Sequence, residues 1–149
     1  MSYWRFAAMI LTSTVVMLGL MYLNTYEIEH VFWSETRAWM ALVMGATMAV
    51  IMLAFMMGMY SSRALNAAIF AGSVVVFAFS LWLVRSQVTV QDRSYMSAMI
   101  PHHSIAIMTS TRAEITDPRV RALADDIIET QRREIAEMEA LIGDLEGAR

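Results

Sequence analysis

AWMALVMGATMAVIMLAFMMGMY, Ala38 to Tyr60, reads as a helix that crosses a bilayer. The hydrocarbon core of a membrane takes about 20 consecutive apolar residues in helical form. Two flanking stretches have the same character. One runs from about Phe6 to Leu23 and carries no charge; the other runs from about Leu65 to Val84. The link Ser61-Ser62-Arg63-Ala64 is too short for anything but an antiparallel turn between the second and third spans. Trp4, Tyr22, Tyr26, Trp33, Trp39, Tyr60 and Trp82 gather at the span ends, where aromatic side chains favour the membrane interface. The first apolar run is long, and no clear small-x-small cleavage site follows it. The expectation is a retained helix rather than a signal peptide.

Composition agrees with a membrane protein. The chain has 149 residues, is 58% hydrophobic and has a mean hydropathy of +0.49, more apolar than a soluble domain. It has no cysteine, which excludes disulfides and thiolate metal sites. Every basic residue is arginine. Residues 1–85 hold four Arg against three acids, and residues 86–149 hold seven Arg against eleven acids, a net of −4. An acidic tail of this kind repels nucleic acid and anionic lipid headgroups. Arg5 and Arg63 fall on one side of the three spans, and Arg37, Arg85 and Arg93 on the other, so the positive-inside count is near a tie. The expectation is an amino terminus inside and a carboxy-terminal domain outside.

After Arg85 the pattern changes from continuous apolar to amphipathic, which divides the chain into a transmembrane domain, 1–85, and a helical hairpin domain, 86–149. One helix is expected from about Asp92 to Ile115, with Asp92 or Ser94 as N-cap. A second begins at Asp117-Pro118, a capping carboxylate followed by proline at the first helical position. Val120, Ala124, Ile127, Gln131, Ile135, Met138, Ile142 and Leu145 then recur at three- and four-residue spacing. Pro101 either kinks the first helix or marks its true start. The fold class is therefore all-α: three transmembrane helices, then an extramembrane hairpin equal to half of a four-helix bundle. A hairpin alone has little to bury its stripe against, so a homo-oligomer is expected.

The chemistry concentrates in Met96-Ser-Ala-Met99-Ile-Pro-His102-His103. On a helix, Met96, Met99 and His103 share a face. Thioether plus imidazole, without thiolate, suits Cu(I) or a similarly soft ion. Tyr95-Met96-x-x-Met99-Ile-Pro-His102-His103-x-x-Ala106-Ile107, followed by Leu123-Ala124-x-x-Ile127-Ile128-x-x-Gln131-x-x-Glu134-Ile135-x-x-Met138, resembles the CopM-like family of ferritin-like His/Met helical domains over about residues 89–145. The resemblance implies an all-helical domain outside the cytoplasm, with Met99, His102, His103 and Met138 in a Cu(I) or Ag(I) role. This chain departs from the family pattern at Thr109, where a Met usually falls, with Met108 displaced by one residue. Gln131 and Glu134 lie on one face with Met138. A buried Gln131 amide needs a partner, for which a histidine is a candidate, and Glu134 is placed to orient an imidazole. His30, in the first loop, falls on the same side of the spans as His102 and His103 and is a candidate third imidazole.

Met40, Met44, Met48, Met52 and Met56 recur every four residues along the second span. A thioether ladder for a soft cation would be similar in layout to the eukaryotic Ctr copper transporters. Met also fills apolar helix positions well, and packing is the preferred reading of the row. No phosphate loop or His-Glu-x-x-His supports hydrolytic or transfer chemistry, and a di-iron set is not expected because Glu134 is followed three residues later by Glu137, with no histidine in the second hairpin helix, so no enzyme is expected. The expectation is a membrane-anchored Cu(I)/Ag(I)-binding protein for copper handling or tolerance. The alternative is a non-enzymatic accessory subunit whose hairpin docks on a partner.

Overall fold

A computed structural model describes residues 2–147, and all regular structure among them is helical. The helices are α1 (Tyr3–Leu20), α2 (Glu35–Met56), α3 (Arg63–Ser86), α4 (Asp92–Arg112) and α5 (Pro118–Gly147), with 3-10 turns at Ile28–His30 and Met57–Met59. Three of them, counting α2 on to Met59, are long and apolar enough to cross a membrane. The chain forms two compact units: Met1–Met21 with Thr36–Thr89, and Tyr22–Glu35 with Val90–Arg149. The division expected after residue 85 missed one feature. The loop between α1 and α2 belongs with the carboxy-terminal hairpin.

In the first unit, α2 turns Ala41, Gly45, Ala46, Ala49 and Leu53 inward. Small residues at i, i+4 and i+8 let helix backbones approach closely, the usual basis of packing between membrane helices. Gly45 lies directly under the Thr14 side chain of α1. A polar and aromatic clamp joins the ends of the three helices. The Tyr3 hydroxyl donates to Oδ1 of buried Asn66 at 2.8 Å, and the Asn66 amide donates to the Tyr60 carbonyl at 3.3 Å. The Tyr60 ring packs on Phe6, edge to face, at 5.7 Å. Tyr60 is thus a core residue, not the interfacial aromatic expected. Met9, Met52 and Met56 pack against the same cluster, as a packing role for these methionines requires. Ser62 caps α3, its hydroxyl accepting from the Leu65 amide at 3.3 Å.

In the second unit, α4 and α5 form the antiparallel hairpin. Met96, Ile100 and Ile107 of α4 meet Ile135 and Ile142 of α5. A fully buried isoleucine is worth about 1.5–3 kcal/mol relative to an exposed one, so this row is the main source of cohesion. An Arg93–Glu146 ion pair closes one end, and Arg121 donates to the Ser110 carbonyl at 3.0 Å near the other. α5 begins as expected, with Oδ1 of Asp117 accepting the Arg119 amide at 2.8 Å. The start of α4 differs. Its N-cap is Gln91, without a side-chain hydrogen bond, and Asp92 lies in the first turn, where the helix dipole favours a carboxylate. The helix also runs unbroken through Pro101, whose ring is fully buried. Met96, Met99 and His103 therefore do share a helical face.

The loop Tyr22–Glu35 is strapped onto α4 within this unit. The Tyr26 amide donates to Ser104 Oγ at 2.9 Å, and His30 Nδ1 lies 3.0 Å from the same oxygen. A hydroxyl that accepts from Tyr26 can donate its own proton to Nδ1, which assigns the remaining ring proton to Nε2, 3.8 Å from Glu27. Tyr26 and Phe32 pack against the hairpin core, and the Arg112 guanidinium lies 5.6 Å from the Tyr26 ring centre. Tyr26 was expected at the membrane interface; it serves the hairpin instead. Ser94 donates to Glu35 at 3.0 Å.

Candidate functional site

A cleft of about 560 Å³ opens between α4 and α5. Helical spacing builds it. Met96, Met99 and His103 reach it from α4, and Glu134, Met138 and Leu141 from α5. Met96 is buried and Met99, His103 and Met138 are half-buried, so the donors are shielded yet reachable. Three thioethers and one imidazole thus line a single hollow. Asp92, Glu134 and Glu137 add carboxylates, and no arginine lines it.

Burial governs the protonation of His103. Burial holds His103 below its ordinary pKa of 6.5, the Glu134 carboxylate pulls it upward, and neighbouring His102 pushes it down again. Burial dominates, so the neutral ring with a free lone pair is favoured near pH 7. Nδ1 of His103 lies 3.1 Å from Oε2 of Glu134. That nitrogen is buried without a well-aligned hydrogen bond. Gln131 reaches Glu134, with Nε2 3.4 Å from Oε2, rather than the histidine expected. Among the described residues no group of three or more His, Asp or Glu is placed to hold a metal. The potential donors around the cleft are mixed: three thioethers and one imidazole beside the carboxylates of Asp92, Glu134 and Glu137.

The sequence profile of the family described as a domain of unknown function (DUF305) matches residues 37–142. This chain belongs to the DUF305 family. The matched span takes in nearly all of α2, the whole of α3 and α4, and most of α5. The uncharacterized protein L153 of Acanthamoeba polyphaga mimivirus is 36% identical over 72 residues, 47% of each chain. The chain thus spans about half the length of that relative. No solved structure matches it.

Within this DUF305 chain the other two histidines lie apart from the cleft. His102 is exposed, its ring centre 6.3 Å from that of His103, and it does not line the cleft. One residue along a helix turns a side chain by about 100°, which carries His102 off the face that Met99 and His103 share. His30 is buried against Ser104 and lines a different hollow with Glu27, Glu29, Arg132 and Glu139. Its position follows from strapping the loop. Of the expected donors, the structure brings together Met96, Met99, His103 and Met138, with Glu134 beside them. Leu141, which the sequence reading did not single out, lines the cleft together with Tyr95 and Leu145. Tyr95 and Leu141 fall one turn from Met99 and Met138, and that spacing was the available signal.

Proposed function

We propose that this protein is a membrane-anchored carrier of Cu(I) or Ag(I), held in the hairpin cleft by His103 with Met96, Met99 and Met138. The observation that carries it is the convergence of three thioethers and one neutral imidazole in one half-shielded hollow. Soft ligands of this kind select monovalent copper and silver over zinc or magnesium. The resemblance of residues 89–145 to CopM-like domains supports the same class of ion. Glu134 lies beside His103, and Tyr95, Leu141 and Leu145 give the cleft an apolar rim. Copper is cargo here, with no catalysis assigned to it. The setting proposed is a bacterial plasma membrane, with the hairpin on its outer face.

The test is a competition titration of the full chain in detergent against a chromophoric Cu(I) chelator, with Zn(II) in parallel. About one Cu(I) per chain and no comparable Zn(II) binding is the expected result. Zn(II) binding as tight as Cu(I) would overturn the thioether assignment.

A second reading has its own observation. Val120, Leu123, Leu141 and Leu145 of α5, with Tyr95 of α4, leave an apolar stripe exposed on the hairpin. Such a stripe suits a second hairpin, completing a four-helix bundle as a homo-oligomer, or a partner subunit.

A further inference from the structure

The loop Tyr22–Glu35 has two faces, and only one of them is used by the protein. Inward, His30 and Ser34 are buried while Tyr26 and Phe32 pack on the hairpin core. Outward, Leu23 is 77% exposed, Ile28 88%, Val31 47% and Trp33 63%. From His30 to Ser34 the side chains alternate strictly between the two faces, as extended backbone dictates. Glu27 and Glu29, on either side of Ile28, are also exposed, and both line a hollow with His30, Arg132 and Glu139.

The loop's covalent position decides what covers these side chains. α1 ends at Leu20 and α2 begins at Glu35. Leu23 and Trp33 therefore stand three and two residues from the ends of membrane-length helices. Fully extended chain covers at most about 3.6 Å per residue, which keeps both within ~11 Å of a span's end. The polar zone on each side of the hydrocarbon core is about 5–7 Å deep, so they lie at or beside the headgroup layer. Tryptophan and aliphatic side chains held at that depth partition into it.

We propose that this loop is a two-faced strap, gripping α4 through Tyr26, His30 and Phe32 and inserting Leu23, Ile28, Val31 and Trp33 into the lipid interface. The inference rests on α1–α3 being membrane spans and is independent of the metal.

The chain has no cysteine, so single-cysteine variants carry a nitroxide at one site each. Ile28→Cys and Val31→Cys report on the outer face, Glu29→Cys on the aqueous side, and Val75→Cys, at a position 66% exposed on α3, on the lipid core. Full-length protein in phosphatidylcholine–phosphatidylglycerol vesicles is measured by power-saturation electron paramagnetic resonance, with oxygen and a water-soluble nickel chelate as relaxants. A ratio of oxygen to chelate collisions severalfold higher at 28 and 31 than at 29 is expected, with 75 strongly oxygen-favoured. Chelate-favoured spectra at 28 and 31, with 75 still in lipid, would overturn the strap and leave the spans standing. Immobilised spectra shielded from both relaxants would replace lipid by a second protein chain and also overturn it. Chelate access at 75 would remove the membrane reading itself, and the strap with it.

Discussion

Replacing Ser104 with alanine isolates the contact that attaches the first loop to the hairpin. Ser104 is fully buried, and its hydroxyl serves two partners, the Tyr26 amide at 2.9 Å and His30 Nδ1 at 3.0 Å. Alanine fits the space, so the cost comes from the two groups left without a partner. A buried polar group stranded in this way costs about 1–3 kcal/mol. His30 keeps Glu27 within reach of Nε2, and removal of the hydroxyl relieves its own burial, so the net lies near 2–4 kcal/mol. This is a local cost. It falls on the loop and not on the row of Ile100, Ile107, Ile135 and Ile142 that holds α4 to α5. Amide hydrogen exchange read by mass spectrometry separates the two. A penalty of this size raises the population of the detached loop about 30-fold or more, at about 1.4 kcal/mol per tenfold. The Tyr26 amide is expected to exchange faster by that factor, while amides around Ile135 stay unchanged. Unaltered protection at Tyr26 would refute the strapping of the loop by Ser104. Equal acceleration in α5 would show that Ser104 supports the hairpin itself.

Further outcomes concern the pH dependence set by His103 and two glycine positions. Cu(I) affinity falls as pH drops through the His103 range, which burial places below 6.5, and His103→Ala flattens the dependence; a metal titration repeated across pH reads both. The sign for stability is the same. The unfolded chain takes up this proton more readily than the folded one, so the contribution is present above the ordinary value and lost as pH falls below it. Gly45→Ala places a Cβ within 3.2 Å of Thr14 Cγ2, and Thr14 is tied to the Ile10 carbonyl by a 2.8 Å hydrogen bond. An overpacking cost of about 1–3 kcal/mol follows. Gly143→Ala on exposed α5, where a Cβ meets nothing within 4 Å, gains about 0.5–1 kcal/mol instead. Thermal unfolding in detergent compares the two glycine variants.

Much of the helical plan was legible because the signals were local. Ala38–Tyr60 declares its length and apolarity without reference to anything else, and Asp117-Pro118 marks a helix start by chemistry confined to a single turn. Pro101 was ambiguous for the same reason. Its local penalty argues against a helix, and only the burial of its ring and of neighbouring Ile100 shows why the helix continues. The loop was the largest omission. Tyr26 and His30 are separated from Ser104 by 78 and 74 positions, and no periodicity in either segment announces that pairing. Charge and aromatic content placed Tyr26 at an interface and His30 near a metal, although both hold the loop to α4. The candidate cleft was half legible. Helical spacing put Met96, Met99 and His103 on one face, and it equally sets His102 off that face. The role expected for His102 came from the resemblance, not from spacing, and its exposed position off that face is what helical geometry gives.

The difference between those two histidines offers the most direct test of a thioether–imidazole copper site. Cu(I) is titrated into the full-length protein, His102→Ala and His103→Ala under identical competition from a chromophoric chelator. Tight binding near one ion per chain, retained in His102→Ala and lost in His103→Ala, is the expected pattern. Equal loss in both variants would move the site off the Met96–Met99–His103 face, and unchanged binding in His103→Ala would contradict the cleft as the site of copper binding.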